Sequence, residues 1–237
     1  MGSRARHLLA LSRRLTRTRI LARVTDTPAG DPGPRAPQPT AEVLDEPMRS
    51  RWSPSVFDAE HTLAREEVEE LLRAAQWAPS AGNSQPWAFF VCERGSANHE
   101  RLVATLSRGN SGWVPRASVV LVTAAKVGKE EGEEKEPSAY ALYDVGQAAA
   151  HVTLQARAMG LHAHQFSGFD HDALAEAFEV PATHRLLTGI AVGVQGDPAE
   201  VDERDAERDT RPRRRKDLSE WVNVDVWGVR WPVRSTT

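Results

Sequence analysis

Ala78-Pro79-Ser80-Ala81-Gly82-Asn83-Ser84-Gln85-Pro86-Trp87 joins a run of helical periodicity to a short apolar run that reads as a strand. Two prolines, a glycine, two serines, an asparagine and a glutamine within ten residues make this stretch a loop. Pro79 biases Ala78 away from helical backbone angles, so the preceding helix should stop there. Gly82 and Asn83 tolerate unusual backbone angles. Ser80, Asn83 and Gln85 offer uncharged donors and acceptors, as a flat heterocycle requires. On local chemistry alone, a tight polar connection that binds nothing reads equally well.

Outward from the loop, the pattern alternates helices with strands. Residues 62–77 predict a helix with Thr62 as its cap and Val68, Leu71, Leu72 and Ala75 on its inner face. Strands are expected over 87–92, 118–125, 161–166 and 186–194, the second apolar enough to be central. Between them, 95–106 and 170–178 predict short helices, with Asp170 as a cap. Residues 138–159 predict the longest helix, with Val145, Ala149, Val152, Ala156 and Met159 in one stripe and Gly160 as its stop. Gly146 and the alanines would narrow that face for a close helix neighbour. The charged stretch 126–137 reads as a mobile surface loop, with a lid as the alternative.

The ends of the chain differ from this middle. Residues 1–25 carry seven arginines and no acid. Leu8, Leu11 and Leu15 could share a face there, so this is either a surface-associating arm, a disordered tail or a misassigned start. Residues 27–39, with five prolines and two glycines, form a linker. The expected division is therefore a basic, disordered arm and linker over 1–42 and one domain over 43–237. Within the domain, Arg49, Arg51, Ser50 and Ser53 interleave guanidinium with hydroxyl, which suits a phosphate but also a solvated surface. Residues 199–216, dense in alternating charge, read as a solvated linker. Trp221, Trp227 and Trp231 then demand a packing partner, either the chain's own domain or a second subunit.

Several functions find no support in this pattern. A net charge of -3 gives no global reason for nucleic acid as a partner. A single cysteine, Cys92, rules out an intrachain disulfide and a cysteine metal cluster, and fits a cytoplasmic setting. Its apolar strand context favours a structural thiol. No apolar run approaches the roughly 20 residues of a membrane-spanning helix. The eight histidines lack ligand spacing, and nucleophile elbows and phosphate-binding glycine loops are missing. With no catalytic side chain advertised and no metal set, an enzyme here would rely on a bound organic cofactor.

Three separated pieces together resemble the FMN-dependent nitroreductase family. They are Arg51-Trp52-Ser53-Pro54-Ser55-Val56-Phe57, the 78–87 loop, and Gln165-Phe166-Ser167-Gly168-Phe169-Asp170 followed by a basic pair before Leu218. The resemblance spans roughly 47–222. It implies an α+β fold, an α/β/α sandwich around a mainly antiparallel sheet, with a domain-swapped C-terminal segment in a homodimer. It also implies electron transfer from NAD(P)H through bound FMN to a nitro compound, quinone or conjugated carbonyl by a ping-pong mechanism. A non-catalytic FMN-binding dimer, or a specialised flavin enzyme such as a dehalogenase or dehydrogenase, is the alternative. Carried over residue by residue, the cofactor contacts fall on Arg51, Trp52, Ser53 and Ser55, on Pro79, Ser80 and Asn83, on Ser167 and Gly168, and on Arg213 and Arg215. Arg51, Ser53, Arg213 and Arg215 would meet the phosphate, whereas Ser167 and Gly168 would offer backbone groups to the ring. The family often has an arginine where this chain has Ser55, which removes one positive charge from that end.

Overall fold

The computed structural model describes residues 40–232, so most of the expected basic arm lies outside the described residues. Ten α-helices and strands, with 3-10 turns at Ala81–Asn83, Val114–Arg116 and Pro198–Glu200 between them, follow in order among the described residues. They are α1 (Arg65–Gln76), β1 (Trp87–Glu93), α2 (Ala97–Thr105), β2 (Val119–Lys126), α3 (Ala141–Ala158), β3 (His162–Phe166), α4 (His171–Ala177), β4 (His184–Gly193), α5 (Glu203–Thr210) and α6 (Leu218–Trp221). The strands form one sheet in the order β1-β2-β4-β3, and every neighbouring pair is antiparallel.

Alternation along β2 shows how the sheet builds two cores. Val119 and Leu121 face the layer of Val68, Leu71 and Ala75 from α1 and Ala148, Ala149, Val152 and Ala156 from α3. Val120, Val122 and Ala124 face the other way, toward Leu102 of α2, Leu174 of α4, Phe57 and Trp113. Because β2 is buried on both faces, it needs apolar residues at every position, and its continuous valine-leucine run supplies them. The result is a helix-sheet-helix sandwich of the α+β class.

Local chemistry explains most of the boundaries. Asp170 caps α4 by accepting the Ala173 N–H at 3.0 Å. Gly160, at φ 82°, ends α3. Thr62, in contrast, does not cap α1. The His61 carbonyl accepts from Arg94 Nη2 at 2.9 Å and Ser118 Oγ at 2.7 Å, which holds the chain out of helical geometry there. The helix starts at Arg65, where Glu67 accepts the Ala64 N–H at 2.9 Å. The alanines of α3 do face α1, but Gly146 lies on the opposite, exposed side, where an added methyl group would meet no atom within 4 Å.

One expectation for the C-terminal part needs correction, and one of its alternatives drops out. The charge-dense 199–216 stretch is not all linker, because α5 forms within it and buries Asp205 and Asp209 on one face. The tryptophans beyond it do not pack on their own domain: Trp221 is 59% exposed and Trp227 88%. Residues 222–231 turn back on themselves, with Val224 N–H on the Val229 carbonyl at 2.9 Å and Trp231 N–H on the Val222 carbonyl at 3.0 Å.

Candidate cofactor site

The 78–87 loop is costly in backbone terms. Gly82, Asn83 and Gln85 have φ of 59°, 54° and 47°, so three of four consecutive residues are left-handed. For Asn83 and Gln85 that geometry costs on the order of 1–3 kcal/mol each and persists only where other contacts enforce it. Ser80 Oγ accepts the Gln85 N–H at 3.1 Å, and Gln85 Nε2 donates to the Asn83 carbonyl at 3.4 Å. From outside the loop, Asp144 of α3 accepts the Ala81 N–H at 3.0 Å. That carboxylate is 1% exposed and was invisible to sequence reasoning, because nothing local ties residue 144 to residue 81. With the loop held by Gln85, Ser80 and Asp144, Pro79 and Asn83 remain exposed.

Beyond the loop, the charged 126–137 stretch folds back on itself. Lys126 pairs with Glu133 and, at 3.7 Å, with Glu130, while Lys129 pairs with Glu136 at 3.6 Å. A cleft of about 490 Å³ lies between this stretch and Ser84, Gln85 and Trp87.

At the other end of the molecule, the 47–57 segment is fastened from several directions. Asp209 accepts the N–H groups of Ser55 at 2.7 Å and Val56 at 3.0 Å. Gly196 N–H bonds to the Val56 carbonyl at 3.1 Å, Arg116 Nε to the Phe57 carbonyl at 3.0 Å, and His164 Nδ1 to the Pro54 carbonyl at 2.8 Å. His164 in turn stacks on Trp113, with centroids 4.3 Å apart. Neither Asp209 nor Arg116 stood out in the sequence. Asp205 and Asp209 fall four apart on α5, but Glu203 and Glu207 do too, so spacing alone does not single them out.

This fastening brings residues from both ends of the domain together. Arg51 Nη1 donates to Ser53 Oγ at 3.3 Å, and Arg213 Nη1 donates to the Arg51 carbonyl at 3.4 Å. The Arg213 guanidinium lies over the Trp52 ring, 6.0 Å from its centroid. Burial, and then the charge of Arg215, lowers the proton affinity of Arg51. Arg51 and Arg213 thus meet in a partly buried place. Two expected contacts look inward instead. Trp52 is buried edge-on against His162, a platform under Arg213, and Ser55, at 1% exposure, has no surface to offer.

Ser167 is exposed, but Gly168 is already engaged. Its carbonyl accepts from Ser107 N–H at 2.9 Å and Asn110 Nδ2 at 3.0 Å. A methyl group at Gly168 would sit 2.5 Å from Asn110 Nδ2 and 2.6 Å from Ser107 Oγ, so the tight approach there is to side chains of the protein's own 107–112 loop. Cys92 is fully buried, and burial pushes its thiol up to about 12, which makes it inert as a nucleophile. Among the described residues, no group of three histidine, cysteine or acidic side chains could hold a metal ion. No helix among them is long and apolar enough to cross a membrane.

A model of the nitroreductase family matches residues 48–194, which take in the 51–57 segment, the 78–87 loop and the Ser167-Gly168 turn. The chain belongs to the nitroreductase family. This nitroreductase-family chain is 40% identical over 127 residues to an uncharacterized 15.4 kDa protein of Mycolicibacterium smegmatis, covering 54% of this chain and 82% of that protein. It is 36% identical over 83 residues to the oxygen-insensitive NAD(P)H nitroreductase of Enterobacter cloacae, covering 34% of this chain and 38% of that enzyme. A crystal structure described as an oxidoreductase containing FMN superposes with a TM-score of 0.67 at 34% identity, covering 75% of this chain and 88% of that one. Family membership places the chain among oxidoreductases. The matched region stops before Arg213 and Arg215, so Arg213 rests on its bond to the Arg51 carbonyl and its place over Trp52.

Proposed function

We propose that this chain is an FMN-dependent oxidoreductase that passes electrons from NAD(P)H to an oxidised organic acceptor such as a nitro compound, quinone or conjugated carbonyl. The observation that carries the reading is the meeting of Arg51, Ser53 and Arg213 from segments about 160 residues apart in the chain. That donor set fits the phosphate of FMN. Guanidinium forks match its oxygens, a serine hydroxyl adds a neutral donor, and the dianion relieves the repulsion among the arginines. Ser80 and Asn83, neutral and polar, and the apolar Pro79 beside them suit the ring and ribityl chain, being held in one shape. Ser167 adds an exposed group at the turn after β3. FMN, when bound, supplies hydride and electron transfer, so the side chains need only bind, orient and exclude water. The FMN-containing structural relative and the NAD(P)H-using enzyme of Enterobacter cloacae support the choice of cofactor and donor.

The functional unit in this reading is a homodimer of the 43–237 domain, working in the cytoplasm where NAD(P)H is supplied. Val226 and Trp227 on the C-terminal hairpin, Trp221 just before it, and Trp77 and Tyr143 elsewhere expose large apolar side chains that a monomer has no use for. The hairpin exchanges onto the partner and covers them. Anaerobic addition of NADH or NADPH to the FMN-loaded protein tests the activity. Bleaching of the visible flavin band, and its return on adding a quinone, is the expected result. A band that both donors leave unchanged would refute the reductase.

A further inference from the structure

Asp209 belongs to none of the family motifs, yet it sits between the two arginine-bearing arms. Its carboxylate is 7% exposed and accepts both the Ser55 and the Val56 N–H groups. Those bonds join positions 154 and 153 residues apart. Arg51 and Ser53 come shortly before Ser55, and Arg213 and Arg215 come shortly after Asp209, so a single side chain sets the register of both arms. Attachment of the 47–57 segment does not depend on it. Gly196 holds the Val56 carbonyl, Arg116 holds the Phe57 carbonyl, and Asp58 N–H bonds to the Val194 carbonyl at 3.1 Å. A buried carboxylate is an expensive way to add one more fastening. Its particular property is two acceptor oxygens on one rigid group, which align two successive N–H groups at once.

We infer that Asp209 is a positioning residue for the cofactor phosphate, fixing the 51–53 and 213–215 arms so that their donors converge on one dianion. The inference rests on the FMN reading given above. Arg213 reports the same alignment from the opposite side, through its bond to the Arg51 carbonyl and its place over Trp52.

Titration of the full-length chain and of the D209N and D209A variants with FMN and with riboflavin tests this. Riboflavin has the same ring and ribityl chain but no phosphate. Both ligands bind only folded protein, so partial unfolding weakens both alike and leaves their affinity ratio unchanged. The expected result is that the wild-type chain prefers FMN, and that both variants lose about tenfold of that preference while riboflavin affinity holds. D209N keeps the size of the side chain and one acceptor, so it serves where D209A fails to fold. Variants that retain the wild-type ratio would overturn the inference. A wild-type chain with no preference for FMN over riboflavin would overturn the phosphate reading itself, and the role of Asp209 with it.

Discussion

Arg213 meets a flat group and a linear one: the Trp52 ring beneath it and the Arg51 carbonyl at 3.4 Å. A lysine keeps the charge but has neither the plane nor the fork. Arg213→Lys should therefore weaken FMN binding by about tenfold and leave riboflavin binding unchanged, as read by flavin fluorescence titration. His164 makes a second prediction at this scale. Burial, and then the nearby charges of Arg208 and Arg51, lower its proton affinity, although the bond to the Pro54 carbonyl opposes them. His99 shifts the same way, chiefly through burial. A histidine whose folded pKa lies below the unfolded value of about 6.5 leaves the unfolded chain holding more protons in acid. Stability should thus be fully present above about pH 6.5 and fall as pH drops below it, by up to about 1.4 kcal/mol per pH unit for each group. His164→Gln keeps a donor for Pro54 and should remove one share of that slope, measured by urea unfolding at pH 7.5 and 5.5. An unchanged slope would mean that His164 titrates normally.

At the level of elements, β4 and the turn after it show how little room the sheet leaves. A methyl group on Gly196 would lie 2.7 Å from backbone atoms of Phe57 and Asp58, and backbone cannot step aside as a side chain can. Gly196→Ala should cost about 2–3 kcal/mol of unfolding free energy, with the same loss of denaturation midpoint whether or not flavin is present. Gly146→Ala, on the exposed face of α3, is the control and should cost nothing or stabilise by up to about 1 kcal/mol. The elements themselves were largely legible in the sequence. β2 and α3 announce themselves by periodicity, and the 78–87 loop by proline, glycine and asparagine, because those signals are local. α5 was not legible. Its alternating charges look solvated, and the burial of Asp205 and Asp209 depends on Gly112 and on the 55–56 backbone, far away in sequence. The start of α1 slipped for the same reason, since Arg94 and Ser118 fix His61 from a distance. At the site, the arginines and the loop could be read from residue types. That Trp52 and Ser55 turn inward, and that Gly168 serves Asn110, required the folded packing.

For the whole molecule, the C-terminal hairpin is the feature a single chain leaves unexplained. Trp227 at 88% exposure and Val226 at 66% end a domain whose core is otherwise closed. Removing 222–237 should leave a folded domain that no longer self-associates, because the hairpin is the segment exchanged in the proposed homodimer. Sedimentation of the full-length protein with added FMN, followed at the flavin's visible band, tests that arrangement most directly. Flavin sedimenting with a species of twice the chain mass, at one FMN per chain, is the predicted result. Protein at the mass of a single chain, with the colour left behind in free solution, would contradict it.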